Sequence, residues 1–270
     1  MKSLFFLLLF ISSFAQEKQG IVNYGYIKSL LLGNKNGHEF NAQLIFDGNQ
    51  SYFVSEKDSL ENDINNNTQI QTLATNEKDG NTKTIGAIGN RAFLTTFTGN
   101  QIYYNKNKDS LWSYLRNPKN MYISEKKPLI KWNFNKETKK IGVYTCHKAS
   151  ATFRGRDYIV WYTTEIPIPY GPWKFNGLPG LVLEAYDTDF YIYFFFKNIQ
   201  YPLEKIIKID FIKESPDSSF IKWYTYEDYL KIIEEDNATK YEKMLLAAKQ
   251  MENFFPVKPK IRERYIEITN

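Results

Sequence analysis

The chain of 270 residues contains one cysteine, Cys146, and two histidines, His38 and His147. One cysteine excludes an internal disulfide and a cysteine-built metal cluster, so stability has to come from a hydrophobic core. His38 sits in a glycine–asparagine turn. His147 directly follows Cys146, and on a strand two adjacent side chains point to opposite faces, which argues against a shared metal. There is no HExxH pair and no nucleophile elbow. The glycines at 171, 177 and 180 fit neither GxGxxG nor GxxxxGK, and Gly180 leads into a β-type run instead of a helix, so a nucleotide loop is excluded. An excess of one charge is also lacking. With 35 Lys and Arg against 30 Asp and Glu, the net charge of +5 gives no basis for a nucleic-acid partner. No catalytic residues, no metal and no cofactor are expected.

Aromatic residues, in contrast, are plentiful: 17% of the chain, with 20 Tyr and 20 Phe. Both favour half-buried pleated surfaces and point to β structure. The first residues, MKSLFFLLLFISSFAQ, carry Lys2, an apolar run over Leu4–Ile11 and small residues before Gln16. That pattern reads as a secretory signal peptide over residues 1–15, because the run falls short of the roughly 18–20 residues of a spanning helix. No cysteine follows the expected cleavage point, so no lipid anchor is indicated, and no later segment is apolar enough to span a membrane. Residues 16–270 then read as one exported domain in the periplasm or outside the cell.

Strand-like runs fall at residues 20–32, 40–46 and 51–54, with Asp47-Gly48-Asn49 as a hairpin signal. Residues 56–81 are polar and read as a surface excursion. Further runs fall at 91–97, 101–105, 129–134, 141–153, 158–163, 180–186, 190–197 and 205–212, with a charged turn at 135–140. The period then changes. Thr225-Tyr226-Glu227-Asp228 and Thr239-Lys240-Tyr241-Glu242 resemble capping boxes that open one broken helix or two helices, and residues 261–268 return as a last strand. The expected fold is mainly β with α: a large curved antiparallel sheet, a half-barrel-like meander, packed with one or two C-terminal helices.

The stretch from Tyr158 to Phe196 organises the chain. Two aromatic runs flank a loop with Pro167, Pro169, Pro172 and Pro179 and three glycines, a density that fixes one rigid path. Trp161, Tyr170, Trp173 and Phe175 are candidates to line an apolar pocket, and Arg154 and Arg156 are candidates to hold an anionic group. Glu184 on the following strand is expected to pair with one of these arginines. Gly177-Leu178-Pro179-Gly180-Leu181 reads as a tight turn anchored by its leucines.

The run Gly177-Leu178-Pro179-Gly180-Leu181-Val182 resembles the signature of the GLPGLI family of secreted envelope proteins, with Val182 in place of isoleucine. Lys139–Ala149, Phe153-Arg154-Gly155-Arg156, Trp161-Tyr162-Thr163, Ile166-Pro167 and Gly171–Phe175 also look familial. The resemblance implies export to a Gram-negative envelope and a β-rich domain, and it brings no biochemical activity. Element order alone is also similar to that of periplasmic lipoprotein carriers. Three readings follow: a non-enzymatic binding protein for an apolar small molecule, peptide or lipidated chain; a docking module whose proline loop meets an outer-membrane protein; and a metal handler centred on Cys146 and His147.

Overall fold

The computed structural model describes residues 18–30, 37–61, 95–211, 221–249, 258 and 260–268. These form a 12-stranded sheet built from two meanders. The first runs outward through β1 (Gly20–Lys28), β2 (His38–Phe46), β3 (Gln50–Ser55), β4 (Asn100–Asn105), β5 (Ser110–Leu115) and β6 (Met121–Lys126). The second runs inward through β7 (Asn133–Ile141), β8 (Tyr144–Phe153), β9 (Arg156–Thr163), β10 (Leu181–Asp187) and β11 (Ile192–Gln200). They join where β1 pairs with β11. A two-residue strand, β12 (Trp223–Tyr224), adds to β6 in parallel, and every other neighbouring pair is antiparallel. The sheet is thus large, open and mixed.

The chain's own length dictates that this sheet curls. The strand order puts β6 near one end and β7 at the other. Ten strand spacings would separate them by about 48 Å in a flat sheet. The link from Lys126 to Asn133 reaches at most about 25 Å even when fully extended. The two ends must therefore approach each other around a concave face, and side chains bridge the gap. Trp132 donates its indole N–H to the Asn176 carbonyl at 2.8 Å, and Glu125 on β6 meets Lys174 of the proline loop.

The concave face holds the main core. Strand alternation turns Val22, Tyr24 and Tyr26 of β1 inward with Phe40, Ala42, Leu44 and Phe46 of β2, and with Ile192 and Phe194 of β11. Tyr24 donates its hydroxyl to the Val182 carbonyl at 2.7 Å, which ties β1 to β10. On the other face, Tyr52, Val54 and Ile209 make a small satellite cluster.

A single helix, α1 (Tyr226–Ala248), follows β12. Thr225 and Asp228 cap it reciprocally, as the sequence predicts, with Thr225 Oγ1 accepting from the Asp228 amide at 3.1 Å and Asp228 accepting from the Thr225 amide at 3.0 Å. The helix runs through the second expected start at Thr239, helped by Lys240 pairing with Asp236 one turn earlier at 2.6 Å. Tyr229 and Ile233 pack on Leu115, Met121 and Ile123. Leu245 and Leu246 stay exposed, so the first half of the helix carries the packing.

Several expected elements shift. Residues 135–140 form strand β7, whose bulge between Phe134 and Thr138 absorbs the polar run, and residues 129–132 are the crossover instead of a strand. As an edge strand, β7 is almost wholly exposed and carries Lys136, Lys139 and Lys140, charges that discourage edge pairing. Residues 205–211 and 260–268 are not strands; the latter make a short 3-10 turn over Ile261–Glu263 and then an irregular segment. Strands β5 and β6 have no counterpart in the sequence reading. Of the run expected at 91–97, only Thr96 forms a bridge, to Lys57, and residues 91–94 lie outside the described residues. The expected signal peptide and most of the polar excursion at 56–81 also lie outside them.

Candidate functional site

The proline loop between β9 and β10 folds inward. Tyr170 bridges Asn176, the Gly177 amide donates to the Pro169 carbonyl at 3.2 Å, and the Leu181 amide donates to the Ile166 carbonyl at 3.0 Å. Gly177 takes φ = +86°, a value that suits glycine alone among ordinary residues. Gly180 lies so close to β9 that an added Cβ would stand 1.9 Å from the Thr163 carbonyl oxygen. Pinned in this way, the loop drives Tyr170, Trp173, Phe175 and Leu178 into the concave core. Trp173 touches Phe153, Tyr158 and Phe175 at ring separations of 5.3–5.8 Å.

Beside the loop lies a buried charge network. The Lys174 ammonium, fully buried, contacts Glu125 at 2.6 Å and Glu267 at 2.7 Å. Arg154, in the β8–β9 turn with φ = +53°, pairs with Glu125 and places its guanidinium 3.4 Å from the ring centre of Tyr226 on α1. Burial works against ionisation of Glu125, but Lys174 and Arg154 outweigh it and hold the carboxyl below its usual range. Arg156 is buried against Asp187 at 2.9 Å and also donates to the Tyr265 carbonyl at 2.9 Å and to the Arg262 carbonyl. Desolvation raises the Asp187 pKa despite Arg156 and the Ile192 amide, which donates to its other oxygen at 2.8 Å. This network bolts the loop, β6, α1 and the C-terminal segment together.

The expected pairing of Glu184 with Arg154 or Arg156 does not form. Glu184 points outward on β10 and takes Lys139 at 2.7 Å, while Arg156 and Asp187 point inward. Cys146 is buried in the core and its thiol is pushed up to about 11, chiefly by desolvation. His147 faces the other way, beside Tyr162. Among the described residues no group of three or more His, Cys, Asp or Glu side chains could hold a metal.

A cavity of about 50 Å³ lies on the far side of Trp173, between the concave face and the C-terminal segment. Tyr26, Phe53, Ile102 and Phe194 form its apolar floor, and Tyr229, Tyr265 and Ile266 cover it. Its polar wall is Lys28, Glu56, Asn100 and Arg116. Lys28 grips both Glu56 oxygens at 2.9 and 3.0 Å, and Asn100 donates to the same carboxylate at 2.8 Å. Glu56 (φ = +54°) and Trp173 (φ = +54°) are both held in the left-handed region that non-glycine residues avoid. The cavity lining thus holds two of the positive-φ residues, and such strained backbone is a feature that clusters at functional sites.

Of the six residues singled out as ligand-binding candidates, Trp173 alone lines the cavity. Trp161 lies beneath Lys139 and Lys148. Tyr170 and Phe175 are core, and Arg154 and Arg156 belong to the charge network. The other wall residues gave no motif, because each comes from a different strand or turn. One available signal was Glu56, a carboxylate standing immediately after the apolar run of β3.

Solved structures of PNGF-II, in the C2 and P21 space groups, each match with 14% identity and a TM-score of 0.46. The match covers 78% of this chain and 32% of that one, so the chain spans about a third of the length of the proteins it matches. No curated protein matches it. Residues 154–184, which are the arginine turn, strand β9, the proline loop and the first residues of β10, match the model of a family described as "Protein of unknown function (Porph_ging)".

Proposed function

We propose that this is an exported, non-enzymatic binding protein that holds the apolar part of a small molecule or peptide in the cavity between the concave sheet and the C-terminal segment. The observation that carries the reading is the cavity itself: an apolar floor, a few convergent polar groups and two strained wall residues, the usual composition of a ligand site. The cavity suits a compact group better than a long acyl chain, since about 50 Å³ accommodates the equivalent of roughly three to five waters. The signal-peptide-like pattern of residues 1–15 supports export to the periplasm or beyond the cell. Among the described residues no helix is long and apolar enough to cross a membrane.

Docking through the proline loop is the weaker reading, because Pro172 and Trp173 are buried and Pro179 alone of the three is exposed. Native mass spectrometry of protein purified from the cell envelope tests the proposal. A retained small molecule that disappears in Ile102→Trp, which fills the cavity floor, supports it. A bare chain that also binds no apolar probe overturns it.

A further inference from the structure

Resting on the binding reading above, we infer that the cavity takes a carboxylate: its ligand is a compact apolar group ending in a carboxylate that pairs with Arg116. The wall already satisfies its acid. Glu56 receives Lys28 on both oxygens and Asn100 on one of them. Arg116 is left 4.0 Å from Glu56, outside hydrogen-bonding distance, and its Nη1 is buried with no hydrogen-bond partner. The indole Nε1 of Trp173, another lining residue and 5% exposed, is a second buried donor without an acceptor. No lining residue has a buried acceptor without a donor. The unmet demand of this cavity is therefore for acceptor atoms.

Charge points the same way. Lys28, Arg116 and Arg264 line the cavity against the single carboxylate of Glu56. Asp236, the acid nearest in influence to Arg264, is outside the lining and already held by Lys240 and Tyr265. A guanidinium nitrogen that lacks a hydrogen bond is matched in geometry by a carboxylate oxygen, and a buried donor left unsatisfied carries a desolvation cost. The apolar body of the ligand would rest on Tyr26, Ile102 and Phe194. Two sources carry this chemistry: a free small acid, or the C-terminal residue of a peptide.

The test is isothermal titration calorimetry on the full chain as purified, with 3-phenylpropionate, its amide, glycyl-phenylalanine and glycyl-phenylalanine amide. The expected result is that each acid binds on the order of tenfold or more tighter than its amide, as a charge-assisted pair requires. Arg116→Gln should remove that ratio while leaving amide binding in place. A dipeptide acid that outbinds 3-phenylpropionate identifies a peptide terminus; the reverse identifies a free acid. Equal binding of acid and amide to the unmodified protein overturns the carboxylate inference and leaves the binding reading standing. The same holds if neither binds while native mass spectrometry shows another retained molecule. Should Arg116→Gln fail to fold, the acid-to-amide ratio of the unmodified protein decides alone.

Discussion

Two groups of charged side chains sit beneath the same C-terminal segment, and they are finished to different degrees. Around Lys174 and Arg156 the charges are interlocked: Glu125, Glu267 and Asp187 each meet a cation, and backbone carbonyls take further donors. Lining the cavity around Arg116 is one acid, Glu56, against three cations, Lys28, Arg116 and Arg264. A charge-balanced network is what a structural bolt needs, since a buried ion pair adds little net stability but losing one partner is severe. A cation excess on a cavity wall is what an anionic ligand needs.

The contrast can be broken most forcefully at the bolt. Lys174→Met leaves Glu125 and Glu267 with Arg154 as their one remaining cation among the described residues and should cost about 3–5 kcal/mol, read as a lower urea midpoint. Trp173→Ala should cost a similar amount, about 3–5 kcal/mol, because the ring is core to the loop while it walls the cavity. Its thermal melt therefore has to accompany any binding measurement. Glu125→Gln should lose about 1–3 kcal/mol at neutral pH. The sign with pH follows from the lowered carboxyl: its contribution is present above the ordinary value of 4.5 and is lost as pH falls through the lower folded value. The variant's stability should thus fall less between neutral pH and acid than that of the unmodified protein. Asp187, with a raised pKa, acts in the opposite sense, its contribution fading as pH rises through the folded value. Arg116→Gln should change stability least, by less than about 1 kcal/mol, because its charge is only loosely paired. A loss there as large as that of Lys174→Met would erase the distinction.

The sequence carried the fold further than it carried the site. The strand-like runs at β1, β2, β9 and β11 and the Thr225 capping box were all legible, because each is a local pattern. Strand β7 was hidden by its polarity: an edge strand exposed on both faces has no alternation to show. The segment at 260–268 misled in the other direction, since its Tyr265 and Ile266 look β-like but are buried by packing over the cavity. Charge pairing was misassigned because Glu184 faces the opposite side of the sheet from Arg156 and lies across from Trp161, well along β9 from it. The cavity was invisible for a related reason: Lys28, Glu56, Arg116 and Arg264 meet only after the sheet has curled, and no spacing in the chain records that.

The seam between the two meanders has a consequence for the order of events during folding. Within each meander most successive strands pair across short links, so their contacts can form early; β3–β4 and β9–β10, joined through residues 56–99 and 164–180, are the exceptions. β1 and β11 are different: Asn23 and Asn198, hydrogen-bonded at 2.7 Å across the seam, stand 175 residues apart. Closing so long a loop costs entropy before any contact rewards it. The first strand made must wait, with its aromatic face uncovered, for one of the last. A chain synthesised N-terminus first therefore carries this edge of β1 unpaired through most of its synthesis.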